Sequence, residues 1–156
     1  RKPLLISLML IAGGIIMLVA EKVYKFRDME NTGIKDAIFI GIAQAIAIIP
    51  GVSRSGITIS AGLFRGFERD SAARFSFLLS TPLIAGATVL HFKKAFMGQG
   101  NHDLQLFSIG LISSFITGFI AIKFLLSFLK KYPMNVFVYY RFVLAVVIIA
   151  GIWLKG

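Results

Sequence analysis

The stretch Ile49-Pro50-Gly51-Val52-Ser53-Arg54-Ser55-Gly56-Ile57-Thr58-Ile59 is polar and punctuated by glycine, yet it joins two apolar segments that are each too short to cross a bilayer. At about 1.5 Å per helical residue, the segment before it, 37–49, covers roughly 20 Å of a hydrocarbon layer about 30 Å thick. Pro50 lacks an N–H and pushes its predecessor out of the α region, so the first helix is expected to stop near Ile49. A second short helix can restart after the turn with Ser53 or Ser55 as its N-cap. Irregular backbone at membrane depth survives only where it is packed in protein or lines a wet cavity, so this turn belongs in a site.

The side chains on the turn favour anions. Arg54 offers a planar fork of donors matched to phosphate oxygens and keeps its charge at any physiological pH. Ser53, Ser55 and Thr58 add hydroxyls, and Gly51 and Gly56 let backbone N–H groups approach a ligand closely. The start of the second half-helix adds unpaired N–H donors and the positive end of a dipole. The plain alternative is an arginine snorkelling to lipid headgroups beside an ordinary helix break.

Composition sets the environment. With 57% hydrophobic residues in 156, the chain has the make-up of an integral membrane protein, and one membrane domain, 1–156, accounts for it. It starts at Arg1 rather than Met, which reads as a processed or truncated N-terminus, and no signal-peptide pattern is visible. The absence of cysteine removes disulfides, iron–sulfur ligation and thiol chemistry. A net charge of +10 raises nucleic acid as a partner, but the basic residues cap apolar segments instead of forming one face. Membrane lipids with anionic headgroups explain them better, and no nucleic-acid partner is expected.

Four spanning helices and one re-entrant hairpin follow from the order of segments. Residues 3–20 form the first span, with Gly13-Gly14 as a close-packing point, and 21–35 a polar connector before Asp36, which can cap the next helix. Segments 37–49 and 57–67 are the arms of the hairpin, at about 36–67, entering and leaving on one side; Gly62 and Gly66 have the spacing for close helix packing. A helix over 72–92, capped by Asp70 or Ser71, contains Pro82, whose freed carbonyl falls to neighbours or to Ser80 or Thr81. After a loop at 93–103, residues 104–129 and 136–154 supply the last two spans. Lys123 is expected to snorkel or face protein, Tyr139, Tyr140 and Trp153 to sit at the interfaces, and Arg141 to snorkel rather than act in chemistry. The connector, the exit loop after the hairpin and the basic turn at 130–131 then share one face with nine basic residues, against Arg1, Lys2, Lys93, Lys94 and Lys155 opposite. The positive-inside rule makes the first face cytoplasmic.

The blocks Gly41-Ile42-Ala43-Gln44-Ala45, Pro50-Gly51-Val52-Ser53-Arg54-Ser55-Gly56-Ile57-Thr58 and Ala72-Ala73-Arg74-Phe75-Ser76-Phe77-Leu78-Leu79-Ser80 closely resemble, in order and spacing, the C-terminal half of the bacterial undecaprenyl pyrophosphate phosphatase family. That resemblance implies an all-α polytopic membrane fold, one half of an inverted-repeat architecture. The implied activity is hydrolysis of undecaprenyl pyrophosphate to undecaprenyl phosphate in the bacterial inner membrane, recycling the lipid carrier of peptidoglycan synthesis. Carried over by motif, Arg54 would clamp the pyrophosphate, Ser53, Ser55 and Thr58 would orient it or a water, and the backbone at Gly51 and Gly56 would cradle it. Gln44 could hydrogen-bond at the site or simply pack along its helix. Arg74 and Ser76 also match, though a helix-start arginine is more often an ion-pair partner.

Pyrophosphate cleavage also needs charge neutralisation by a metal and an activated nucleophile. All seven acidic residues lie at loops or helix ends, so no metal ligand is expected at the turn, and serine as nucleophile is disfavoured for want of a base. His91 and His102 are read as interfacial or solvated. The resemblance places a glutamate pair and a histidine in a missing N-terminal half. It thus implies a divalent cation, Mg or Ca, held there, with Gln44 and Ile48 at the repeat-equivalent positions of the glutamates. The expected partners are the polyprenyl pyrophosphate, membrane lipids, that missing half and a second copy as a homodimer, and the isolated chain is expected to be inactive. Two other classes compete: a transporter or lipid flippase built on a broken-helix site, and a non-catalytic fragment.

Overall fold

The computed structural model describes the backbone of residues 3–97 and 104–155, and the side chains of 3–91 and 105–154. Arg1, Lys2, His102 and the side chains of Lys93, Lys94 and Lys155 lie outside the described residues, as does most of the expected 93–103 loop. The described chain is all-α: α1 (Pro3–Glu21), α2 (Ile34–Ile46), α3 (Arg54–Phe64), α4 (Arg69–Met97), α5 (Leu104–Lys131) and α6 (Asn135–Lys155), with a 3₁₀ turn at Met29–Asn31. Among the described residues four helices, α1, α4, α5 and α6, are long and apolar enough to cross a membrane. At 13 and 11 residues, α2 and α3 reach only roughly 20 and 16 Å.

Those two helices form the hairpin, and its base shows that both arms meet one side. Asp36, in the first turn of α2, bonds Arg65 Nε, just past the end of α3, at 2.6 Å. Arg27 from the connector bonds the same carboxylate at 2.7 and 3.2 Å, donates to the Arg65 carbonyl, and lies 4.8 Å over the Phe67 ring. Asp36 is not itself the cap of α2. Gly33 holds that position, and Asp36 accepts the Gly33 N–H from three residues on, the reciprocal arm of a capping box. The bond from Arg27, followed by those from Gly33 and Arg65, holds this carboxyl well below the usual carboxylate range, against the opposing pull of burial.

Most helix boundaries differ from the sequence expectation: α2 and α3 each begin and end three residues earlier than the expected arms 37–49 and 57–67, and α4 is longer at both ends than 72–92. The α-turns of α2 end at Ile46, and the N–H groups of Ala47, Ile48 and Ile49 bond three residues back, a tightening that lets the helix fade before Pro50. Pro50 and Gly51 then occupy the middle of a turn closed by Val52 N–H to the Ile49 carbonyl at 3.1 Å. Gly51 has φ +96°, open to glycine, and a Cβ there would stand 2.8 Å from the Ile6 carbonyl, so the tip is pressed onto α1. Finally, α4 begins at Arg69, before either Asp70 or Ser71, because the Glu68 carbonyl accepts the Ala72 N–H at 2.8 Å, and it continues past 92 to Met97.

Packing places α3 at the centre. Seven of its eleven residues are buried, against α1, α2 and α4. A Cβ on Gly62 would meet that of Ala72 at 2.8 Å, so close packing of α3 on α4 needs the glycine. Gly66 serves another purpose. At φ +81° it ends α3, with its own N–H on the Leu63 carbonyl and that of Phe67 on Gly62, a Schellman closure. Gly13 and Gly14 do mark a close contact, of α1 with α6, where Cβ atoms would stand 2.6 Å from an Arg141 nitrogen and from the Phe142 ring. Ser80 and Thr81 hydroxyls both bond the Phe77 carbonyl rather than that of Leu78, the one Pro82 leaves free. Residues 81–91 of α4 and 105–117 of α5 are exposed around their whole circumference and are mainly apolar, as surfaces facing hydrocarbon or further protein are; Lys123, Tyr139, Tyr140 and Trp153 are exposed too.

Ion pairs tie the loops of one face together: Glu21 with Arg69, and Asp70 with Arg74 and Lys130. The connector, the exit loop and the basic turn therefore share a face, as the segment order requires. About twelve residues of α1 separate Glu21 on that face from Met9 at the hairpin tip, or roughly 18 Å, which carries the tip past the middle of the hydrocarbon.

Candidate active site

The first turn of α3 is the polar tip of the hairpin. Ser53 is its N-cap, and the Ser53 Oγ accepts the Gly56 N–H at 3.1 Å. Gly56 therefore spends its amide inside the helix, and the amides of Arg54 and Ser55, the first two of α3, are those left without intrahelical acceptors. Ser55 is exposed, its hydroxyl 3.4 Å from that of Ser53. Thr58 is buried. Its hydroxyl lies 2.8 Å from the Arg54 carbonyl, 3.2 Å from that of Ser55 and 2.5 Å from Ser76 Oγ on α4, so it locks the first turn onto α4 and is saturated in doing so.

Arg54 is exposed and lines a cavity of about 250 Å³ with Ser55, Ser76, Phe77 and Ser80. The Arg54 guanidinium and the Ser55 hydroxyl at a helix N-terminus are the donors of this recess, since the Ser80 hydroxyl donates to the Phe77 carbonyl and that of Ser76 is bonded to Thr58. Arg74, one turn into α4, instead pairs with Asp70 at 3.7 Å, away from this recess. Gly51 holds the turn against α1, and Gln44 lies in α2 with its Oε1 buried and without a hydrogen-bond partner among the described residues. Ile48, by contrast, is 84% exposed.

One residue is not where the sequence suggests. Arg141 does not snorkel: it is 8% exposed and points across the molecule, with Nη1 against Gly13 and Nη2 3.2 Å from where a Cβ would stand on Gly56. It lines a second cavity, of about 220 Å³, whose polar end is Ser53, Ser55 and Gly56. A place six residues inside a span suggests an escape to the interface, but α6 packs so tightly on the Gly13–Gly14 notch of α1 that the side chain is directed inward. The signal in the sequence is the pair of glycines, legible only with the register of α1 against α6.

No group of three potential metal ligands exists among the described residues, and the donors at the tip are hydroxyls, amides and guanidinium groups. This set does not suit a hard divalent cation, which needs carboxylate oxygens.

Fold and site together define a polytopic helical membrane protein with a polar, capped helix start at the tip of a re-entrant hairpin. The chain belongs to the family described as Bacitracin resistance protein BacA, which matches residues 1–147. It is 62% identical over 148 residues to an undecaprenyl-diphosphatase of Thermodesulfovibrio yellowstonii, a match covering 95% of this chain and 57% of that protein. A protein of the same name from Moorella thermoacetica is 46% identical over 157 residues, 99% of this chain and 59% of its own. The chain thus spans under three fifths of the length of these relatives.

Proposed function

We propose that residues 1–156 form the substrate-gripping part of an undecaprenyl-diphosphatase, which hydrolyses undecaprenyl pyrophosphate to undecaprenyl phosphate and inorganic phosphate in the bacterial inner membrane. The observation that carries this reading is Arg54, an exposed arginine with no carboxylate partner among the described residues, at a capped helix N-terminus deep in the membrane. The relatives' name supplies the substrate.

In this reading water attacks the terminal phosphorus and the bond to the bridging oxygen breaks, leaving the lipid as its monophosphate. Negative charge on the terminal oxygens and the bridging oxygen has to be met by fixed donors. Arg54, the Ser55 hydroxyl and the two free amides supply them, Ser53 holds the helix start in shape, and Thr58 and Ser76 fix that start against α4. No base lies beside the tip hydroxyls among the described residues, so Ser53 and Ser55 orient rather than attack. The base and the carboxylates for a divalent cation have to come from the remainder of the full-length protein.

The test is phosphate release from undecaprenyl pyrophosphate by the full-length enzyme. Arg54→Ala should lower kcat by at least about 100-fold, the scale for removing a transition-state donor, with the unfolding temperature unchanged. Wild-type rates in both Arg54→Ala and Arg54→Lys would refute the assignment.

A further inference from the structure

We propose that Arg141 is a second phosphate-binding residue, which holds the lipid-linked phosphate of a polyprenyl diphosphate while the cavity wall beside it receives the first isoprene units. The inference rests on the diphosphatase reading and divides the headgroup between two arginines.

Three observations carry it. Arg141 is more than nine-tenths buried and makes no hydrogen bond or ion pair with any described residue. A guanidinium in the membrane interior without a counter-charge is costly, and such groups pair or face a ligand path. Its fork reaches between Gly13 of α1 and Gly56 in the first turn of α3, neither of which carries a side chain to block it.

The two cavities flanking that helix start differ in chemistry. Around Arg54 stand three serines, a lining for a small, heavily hydrated dianion. Around Arg141 the polar end, Ser53, Ser55 and Gly56, runs into a wall of Met17, Ile59, Leu125, Leu129, Met134 and Phe137. A phosphate that carries hydrocarbon on one oxygen matches a cavity of that kind, and a leaving inorganic phosphate matches the first. Ser55 lines both. A diphosphate, whose two phosphorus atoms share one oxygen, would sit astride this residue, with its terminal phosphate on Arg54 and its lipid-linked phosphate on Arg141.

The division makes the two arginines kinetically distinct. The lipid-linked phosphate is present in both substrate and product and gains little charge beyond the bridging oxygen, so its grip is spent largely on binding. In the full-length enzyme, Arg141→Met is expected to raise KM for the diphosphate lipid about tenfold with kcat within about threefold of wild type. Inhibition by undecaprenyl phosphate should weaken by the same factor, whereas inhibition by inorganic phosphate should not change. Arg141→Lys, which keeps the cation but loses the fork, should fold even if the Met variant does not, and should shift KM and lipid-phosphate inhibition in the same direction by less.

Unchanged KM and unchanged inhibition by undecaprenyl phosphate in these variants would overturn the inference. So would a loss that tracks only a lowered unfolding temperature, the result expected if Arg141 merely pairs with a carboxylate elsewhere in the full-length protein. Either result leaves the diphosphatase reading standing as long as Arg54→Ala is inactive; an active Arg54→Ala enzyme would remove the reading itself.

Discussion

The two ends of the hairpin each hold a pair of arginines, and they treat them in opposite ways. At the base, Arg27 and Arg65 converge on Asp36, which is 2% exposed, and Arg27 also donates to the Arg65 and Asn31 carbonyls. At the tip, Arg54 and Arg141 flank the start of α3, and among the described residues no carboxylate lies near either. Identical side chains are thus structural where a fixed anion meets them and available for a ligand where none does. In the proposed reading, charge left uncompensated among the described residues inside a membrane marks the site.

Breaking the comparison at the tip gives the largest effect. Loss of Arg54 should remove at least about 100-fold of kcat and leave folding intact, since no side-chain partner among the described residues is orphaned by its removal. The base should behave in reverse. Asp36→Ala leaves two arginines facing each other without their acid and should cost about 2 kcal/mol of stability, below the full value for a wholly buried pair because both arginines keep solvent contact. Activity per folded molecule should be close to wild type. The pH dependence has a definite sign: the Asp36 carboxyl titrates below its unfolded value, so its contribution is complete above about pH 4 and is lost as the pH falls from there. Unfolding curves from about pH 7 down to about pH 2 should therefore keep wild type and Asp36→Ala apart by a constant margin to about pH 4 and narrow the gap steadily below it.

The smallest of these effects sharpens the boundary between the two regions. Thr58→Val removes the hydroxyl that ties the first turn of α3 to Ser76 and should cost about 1 kcal/mol, within the range of a single buried hydrogen bond. Because that hydroxyl also anchors the turn bearing Arg54, kcat should fall several-fold while Thr58→Ser stays near wild type. A Thr58→Val enzyme with normal kcat would show that the turn holds its shape without α4.

What is legible in the sequence is local. Short apolar arms, Pro50 and a serine at the right offset are enough to place the hairpin and its Ser53 cap, because each depends on neighbours within a turn or two. The pairing of Asp36 with Arg65 joins residues 29 apart, and the Thr58–Ser76 bond residues 18 apart; both require two helices to be set at a given height. Arg141 escapes a local reading for the same reason. Its depth along α6 can be counted, but its direction depends on two glycines more than 120 residues earlier, on a helix whose register against α6 no local pattern encodes. Thr58 is legible as a hydroxyl at the site and not as one already satisfied.

The central claim is that the start of α3 is a water-accessible anion site inside the membrane, and single-cysteine labelling tests it most directly, since residues 1–156 contain no cysteine. Ser55→Cys in the full-length enzyme, with no other cysteine present, should react with a membrane-impermeant, negatively charged thiol reagent, and undecaprenyl pyrophosphate should slow that reaction at least about tenfold. Reaction only with a lipid-soluble reagent, or a rate that the diphosphate lipid does not alter, would contradict it.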